Sequence, residues 1–142
     1  MQGLRRKVIY IATFEAIAIT VCSFAFAGIA DKSLGHSSML AVMTSIVAVV
    51  WNFTFTSAFE AWERRQAVRG RSIKRRVAHA CCFELGLIVL IVPMMAWWLD
   101  MSLLHALVMD IGLVAFFLTY TFIFNYCFDR IFGLPSSAQP ST

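Results

Sequence analysis

The chain has 142 residues, of which 60% are hydrophobic and 14% charged, and its net charge is +4. Soluble domains run nearer half apolar and a quarter charged, so this composition excludes an ordinary water-soluble globule. The length allows one domain whose apolar surface cannot be covered by its polar residues, and lipid is the solvent that suits it.

The first apolar stretch, 8–30, follows the basic opening Arg5, Arg6 and Lys7 and is interrupted by Glu15. A cleaved signal peptide is the rival reading of this segment, because "FAFAGIA" supplies small residues near its end. A carboxylate inside the apolar run and the lack of a soluble domain after it argue against cleavage. The second stretch, 39–60, ends in "WNFTFTSAFE". Next come Arg64, Arg65, Arg69, Arg71, Lys74, Arg75 and Arg76, and then the third stretch, 77–99. It carries His79 and Glu84 near its start, and Pro93, expected to kink it, further on. Trp97 and Trp98 are suited to anchor its far end at the membrane interface. The fourth, 103–128, holds Asp110 and closes on "YTFIFNYCFD", which ends at Asp129.

Each stretch has the roughly 20 residues needed to cross a hydrocarbon layer about 30 Å thick. Only helices and closed barrels satisfy every backbone group in lipid, and the period-two pattern of a barrel is absent. The expected fold is therefore an all-α integral membrane protein with four transmembrane helices. A transmembrane domain over 1–134 divides into helix pairs at 5–65 and 74–134, and 135–142 ("PSSAQPST") reads as a loose tail. Eleven of the twelve basic residues fall on one side of this topology, Lys32 being the exception. The positive-inside rule then places both termini in the cytoplasm. The basic connection is a topology determinant beside anionic lipid, with no nucleic-acid partner implied.

The four cysteines, Cys22, Cys81, Cys82 and Cys127, all lie within the spans, so no extracellular disulfide framework is expected. Cys81 and Cys82 beside His79 and Glu84 hint at a metal site. Adjacent helical residues point about 100° apart, however, so four convergent ligands are not expected there.

A shift of 69 lays the sequence over itself. "RRKVIYIATFE" (5–15) matches "KRRVAHACCFE" (74–84), and "WNFTFTSAFE" (51–60) matches "YTFIFNYCFD" (120–129). The repeat unit is thus a helix pair, and the two pairs run parallel about an axis along the membrane normal. Glu15 and Glu84 each lie eight residues inside their helix from the last basic residue, about 12 Å into the hydrocarbon. Counting from Glu60 as the boundary brings Trp51 and Asn52 to the level of Glu15, and Tyr120 and Thr121 to that of Glu84. Asn52, Thr56 and Glu60 form one polar stripe at i, i+4 and i+8, and Thr121, Asn125 and Asp129 form another. Such stripes hold helices together in lipid or line a path for water and substrate; both readings stand.

A buried carboxylate costs roughly 2.5–3.5 kcal/mol at a helix centre on insertion scales. Desolvation favours its protonated form, whereas its ionised form attracts a cation. Such a group exchanges a proton for an organic cation, with Phe14, Trp51 and neighbouring phenylalanines offering faces for cation–π contact. The alternative is a structural acid, protonated and bonded to neighbouring helices, in a small scaffold protein; a passive cation channel is a third reading. His79 is a candidate proton relay or an interfacial hydrogen-bonding residue, and Asp110 a candidate outer release point or boundary residue. No phosphate-cradling glycine loop, nucleophile elbow or HExxH motif is present.

These motifs in this order resemble the proteobacterial antimicrobial compound efflux (PACE) family, built from two bacterial transmembrane pair domains. The match covers 5–132 and rests on Arg76-x-x-His79 with Phe83-Glu84, on Trp51-Asn52 with Phe59-Glu60, on Tyr120-Thr121 with Asn125 and Asp129, and on "VPM" (92–94) and "DIGL" (110–113). The resemblance implies an inner-membrane transporter, driven by protons and without a cofactor. It would export cationic biocides such as chlorhexidine and acriflavine, or short-chain diamines such as putrescine and cadaverine. It also implies a homodimer, and Glu15 as the principal coupling acid. The sequence departs from the family pattern at Lys7-x-x-Tyr10, where an arginine and a histidine are usual, and at Thr56, where a second asparagine is common.

Overall fold

The computed structural model describes residues 3–68 and 72–133; the tail at 135–142, together with Arg69 and Arg71, lies outside the described residues. Four helices account for nearly all of it: α1 (Gly3–Ala30), α2 (Leu34–Arg64), α3 (Ile73–Leu99) and α4 (Leu103–Phe132). All four are long and apolar enough to cross a membrane. Each extends past its apolar stretch at the basic end, because arginine and lysine are good helix formers and their charged heads reach water from there. Pro93 lies inside α3, which continues through it.

Two short turns join the helices of each pair, and they are built alike. Asp31 and Asp100 adopt left-handed backbone (φ 51° and 54°), a conformation aspartate tolerates better than most residues. Lys32 N–H then reaches back to the Ala27 carbonyl (3.3 Å), and Met101 N–H to that of Ala96 (3.0 Å), the long reverse bond of a Schellman cap. Ser33 and Ser102 open the next helix, each hydroxyl accepting the amide three residues on, His36 (3.2 Å) and His105 (3.1 Å). Every one of these positions repeats at the offset read from the sequence.

Packing runs from α1 to α2, α2 to α3 and α3 to α4, and long side chains of α1 and α4 close the circuit. The tightest core lies toward the hairpin turns, where Phe26, Leu40, Met95, Leu99 and Ala106 are almost wholly buried. Small residues such as Ala18, Ser23, Ala41 and Ala96 among them let helix backbones approach closely. In lipid that approach matters more than area removed from water, since dispersion and hydrogen bonds supply the attraction. Large apolar side chains, including Phe24, Phe53, Val89, Leu118 and Phe122, point outward along all four helices, as a lipid-facing surface requires.

Candidate functional site

Glu15 is half-buried on α1, and its bonded partner is Ser45 of α2, whose Oγ donates to Oε2 at 2.5 Å. Among the described residues no lysine or arginine is paired with it. Ser45 is therefore the group bonded to the acid, while Trp51 and Asn52, expected near its level, bond elsewhere. The short turn at 31–33 fixes the α1–α2 register, and by that register Ser45 lies nearer the hairpin turn than Glu15 does, the bond between them spanning the difference.

Trp51 and Tyr120 instead bridge the two repeats. Trp51 Nε1 donates to the Phe83 carbonyl (3.0 Å), and Tyr120 Oη to the Phe14 carbonyl (2.9 Å). Each accepting carbonyl belongs to the residue just before a half-buried acid, so Trp51 belongs beside Glu84 and Tyr120 beside Glu15. The indole of Trp51 lies directly on Gly86, where an added methyl would collide with it. Ile17 is the counterpart of Gly86 in the first repeat, where the smaller Tyr120 replaces Trp51. Asn52 is exposed and accepts from Thr56 Oγ1 (3.1 Å), and Thr121 is half-buried.

Toward the basic end the same face continues. On α1, Tyr10 meets Phe124 and Phe128 edge-on (5.2 and 5.1 Å) and donates to Asn125 Oδ1 at 2.5 Å. Arg6, one turn away, binds Asp129 Oδ1 (2.6 Å) and the Gly133 carbonyl (2.8 Å), with its guanidinium over Phe128. His79, the counterpart of Tyr10, is held edge-on by Phe55 and Phe59 (5.0 and 4.7 Å), and Arg75 lies over Trp62. Glu60 and Arg76 are exposed at this end. Arg6 makes these contacts and Lys7, the counterpart of Arg76, does not, because residues 6, 10 and 14 share one helical face and Lys7 lies about 100° from it.

Glu84 is half-buried in the second repeat, where Val114 replaces the serine that holds Glu15. Polarity returns one turn away in Asp110, 5% exposed and within electrostatic reach of Glu84; its counterpart is Ala41. The two acids thus occupy equivalent backbone positions with different neighbours. Cys81 and Cys82 are both exposed on α3.

Between α1 and α4, toward the hairpin turns, a half-open cleft of about 440 Å³ is lined by Cys22, Phe26, His105, Met109, Gly112 and Phe116, among others. At the equivalent height between α2 and α3 stands Trp98, stacked on His36 at 4.8 Å, donating from Nε1 to the His36 carbonyl (2.9 Å) while its own carbonyl meets His36 Nε2 (2.7 Å). The residue in place of Trp98 on α1 is Ile29.

Two repeated hairpins, lipid-facing on the outside and carrying acids, hydroxyls and aromatic rings between them, define a small multi-pass membrane transporter. A family model described as BTP, chlorhexidine efflux transporter, matches twice, at residues 2–65 and 71–134. The chain belongs to this family, the PACE transporters, and the two matches repeat the 69-residue offset. Three proteins named short-chain diamines transporter are similar to it. Those of Acinetobacter baylyi and Acinetobacter baumannii are 36% and 35% identical over 127 residues, covering 89% of this chain and 89% and 88% of theirs. That of Vibrio parahaemolyticus is 30% identical over 125 residues, 88% of this chain and 89% of its own. No solved structure matches the chain.

Proposed function

We propose that the protein exports organic cations across the bacterial inner membrane in exchange for protons, with both termini in the cytoplasm. The observation that carries this reading is Glu15 held between apolar helices by a neutral hydroxyl. A serine donates to the ionised acid and accepts from the protonated one, so it supports both states and locks neither. A positive partner would have fixed the anion and removed it from exchange. Proton and cargo therefore compete for one carboxylate, and Tyr120, Phe14 and Phe116 nearby add aromatic faces for the cargo's positive group.

Cationic biocides and short-chain diamines are the cargo classes, as the names of the family and the similar proteins suggest. Glu84 with Asp110 forms the corresponding acidic station of the second repeat, and Asp110 serves release toward the hairpin side. Trp51, Asn52, Thr56, Thr121 and Asn125 border the path, and Glu60, Arg76, His79 and Asp129 serve its cytoplasmic mouth. The working unit is a homodimer in the lipid bilayer.

Glu15→Gln in proteoliposomes tests the reading. Transport driven by an imposed pH gradient is expected to vanish while folding is kept. In the wild type, cargo affinity should weaken as pH falls, by up to about tenfold per pH unit on the acid side of the titration, because the protonated acid no longer attracts the cation. The Gln variant should lose that slope. Wild-type transport by Glu15→Gln would remove the residue from the mechanism, and wild-type flux indifferent to the gradient would make the protein a channel.

A further inference from the structure

Glu15 and the α1–α4 cleft lie on one continuous face. Cys22 and Phe26, which line the cleft, are two and three turns above Glu15 on the same side of α1. On α4, Phe116 at the base of the cleft stacks on Tyr120 (5.5 Å, rings nearly parallel), and Tyr120 bonds the carbonyl beside Glu15. Cys22 and Tyr120 are both within electrostatic reach of Glu15. The acid therefore sits at the foot of an apolar, partly aromatic recess. Its volume of about 440 Å³ falls within the roughly 300–1,000 Å³ usual for small-molecule sites.

Building on the reading of Glu15 as the exchange site, we infer that cargo binds in two parts. The positive group sits at Glu15, and the aromatic or long alkyl body of a bulky cation lies upward in the α1–α4 cleft. At the equivalent place between α2 and α3 the indole of Trp98 lies on His36, so the body is assigned to the α1–α4 seam, where Ile29 stands in place of Trp98. A short diamine has no apolar body of this size and engages the acid without the cleft. The cleft thereby sets the cargo range, and the acid sets the proton exchange.

Gly112 gives a clean way to fill the cleft, since a side chain added there meets no atom within 4 Å and projects from a lining position. In the purified protein, Gly112→Phe is expected to weaken chlorhexidine binding about tenfold or more while leaving putrescine binding unchanged. Gly28→Phe, at an equally open position on α1 outside the cleft, should change neither. Equal loss of both ligands in Gly112→Phe, or wild-type chlorhexidine affinity in that variant, would each overturn the two-part site. Glu15→Gln reports separately: if it spares the binding of both ligands, the exchange reading itself fails, whatever Gly112→Phe does.

Discussion

The α2–α3 and α1–α4 seams are made from the same residues of the repeat, and they are not alike. At the level of the acids both use one ring and one backbone carbonyl: Trp51 to Phe83 in one seam, Tyr120 to Phe14 in the other. Toward the basic end the first is a nest of rings around His79, whereas the second adds an ion pair and a tyrosine–asparagine bond. Toward the hairpin turns the first carries Trp98 on His36 and the second is open. The repeat gives two seams of like plan, and the residues that differ between them place Trp98 in one and leave a cleft in the other.

Gly86 is the strongest lever on that difference. Gly86→Ile, which copies position 17 of the other repeat, should force the indole of Trp51 off α3 and lower stability by about 1–3 kcal/mol, seen as a drop in melting temperature in detergent. Adding Trp51→Tyr, which completes the conversion to the α1–α4 type, should recover part of that loss. A double-mutant cycle showing no coupling between positions 51 and 86 would break the comparison.

A smaller effect is expected at the basic end of the other seam. Arg6→Ala removes the bonds to Asp129 and Gly133, with a cost of roughly 1–2 kcal/mol, a charge-assisted contact weakened by the partial exposure of Asp129. Arg6→Lys should restore only part of it, because an ammonium lacks the planar fork that reaches both acceptors while covering Phe128. The same melting assay reads it, and Lys7→Ala serves as the control that should change little.

The mildest change is Trp98→Phe, which keeps the ring against His36 and deletes one hydrogen bond, for about 0.5–1.5 kcal/mol. Its value lies in the second readout. A looser α2–α3 seam should not gain chlorhexidine affinity if Glu15, under the other seam, is where the charge sits.

Much of this architecture was legible in the residues. Four apolar runs and a constant offset gave four helices in two pairs, because lipid leaves the backbone few alternatives. The twin turns were not legible: aspartate permits left-handed backbone without demanding it, so Asp31 and Asp100 look like any polar boundary. Glu15 stood out because a carboxylate in an apolar run is costly. Its partner Ser45 did not, since a hydroxyl costs little there and can bond its own helix. The exchange of Trp98 for Ile29 is visible once the repeats are overlaid. That it opens a recess depends on how His105 and its neighbours pack around Ile29, which spacing does not encode.

The clasp of Arg6 on the Gly133 carbonyl joins the start of α1 to the residue that follows α4. During synthesis α2 and α3 emerge one after the other and can pair at once, but α1 must wait for the whole of α4 before its own seam can close. The growing protein therefore spends most of its manufacture with Glu15 flanked on one side only, dependent on Ser45 for company. The acid's first task is to survive its own insertion, and a neutral neighbour delivered early by the very next helix makes that possible.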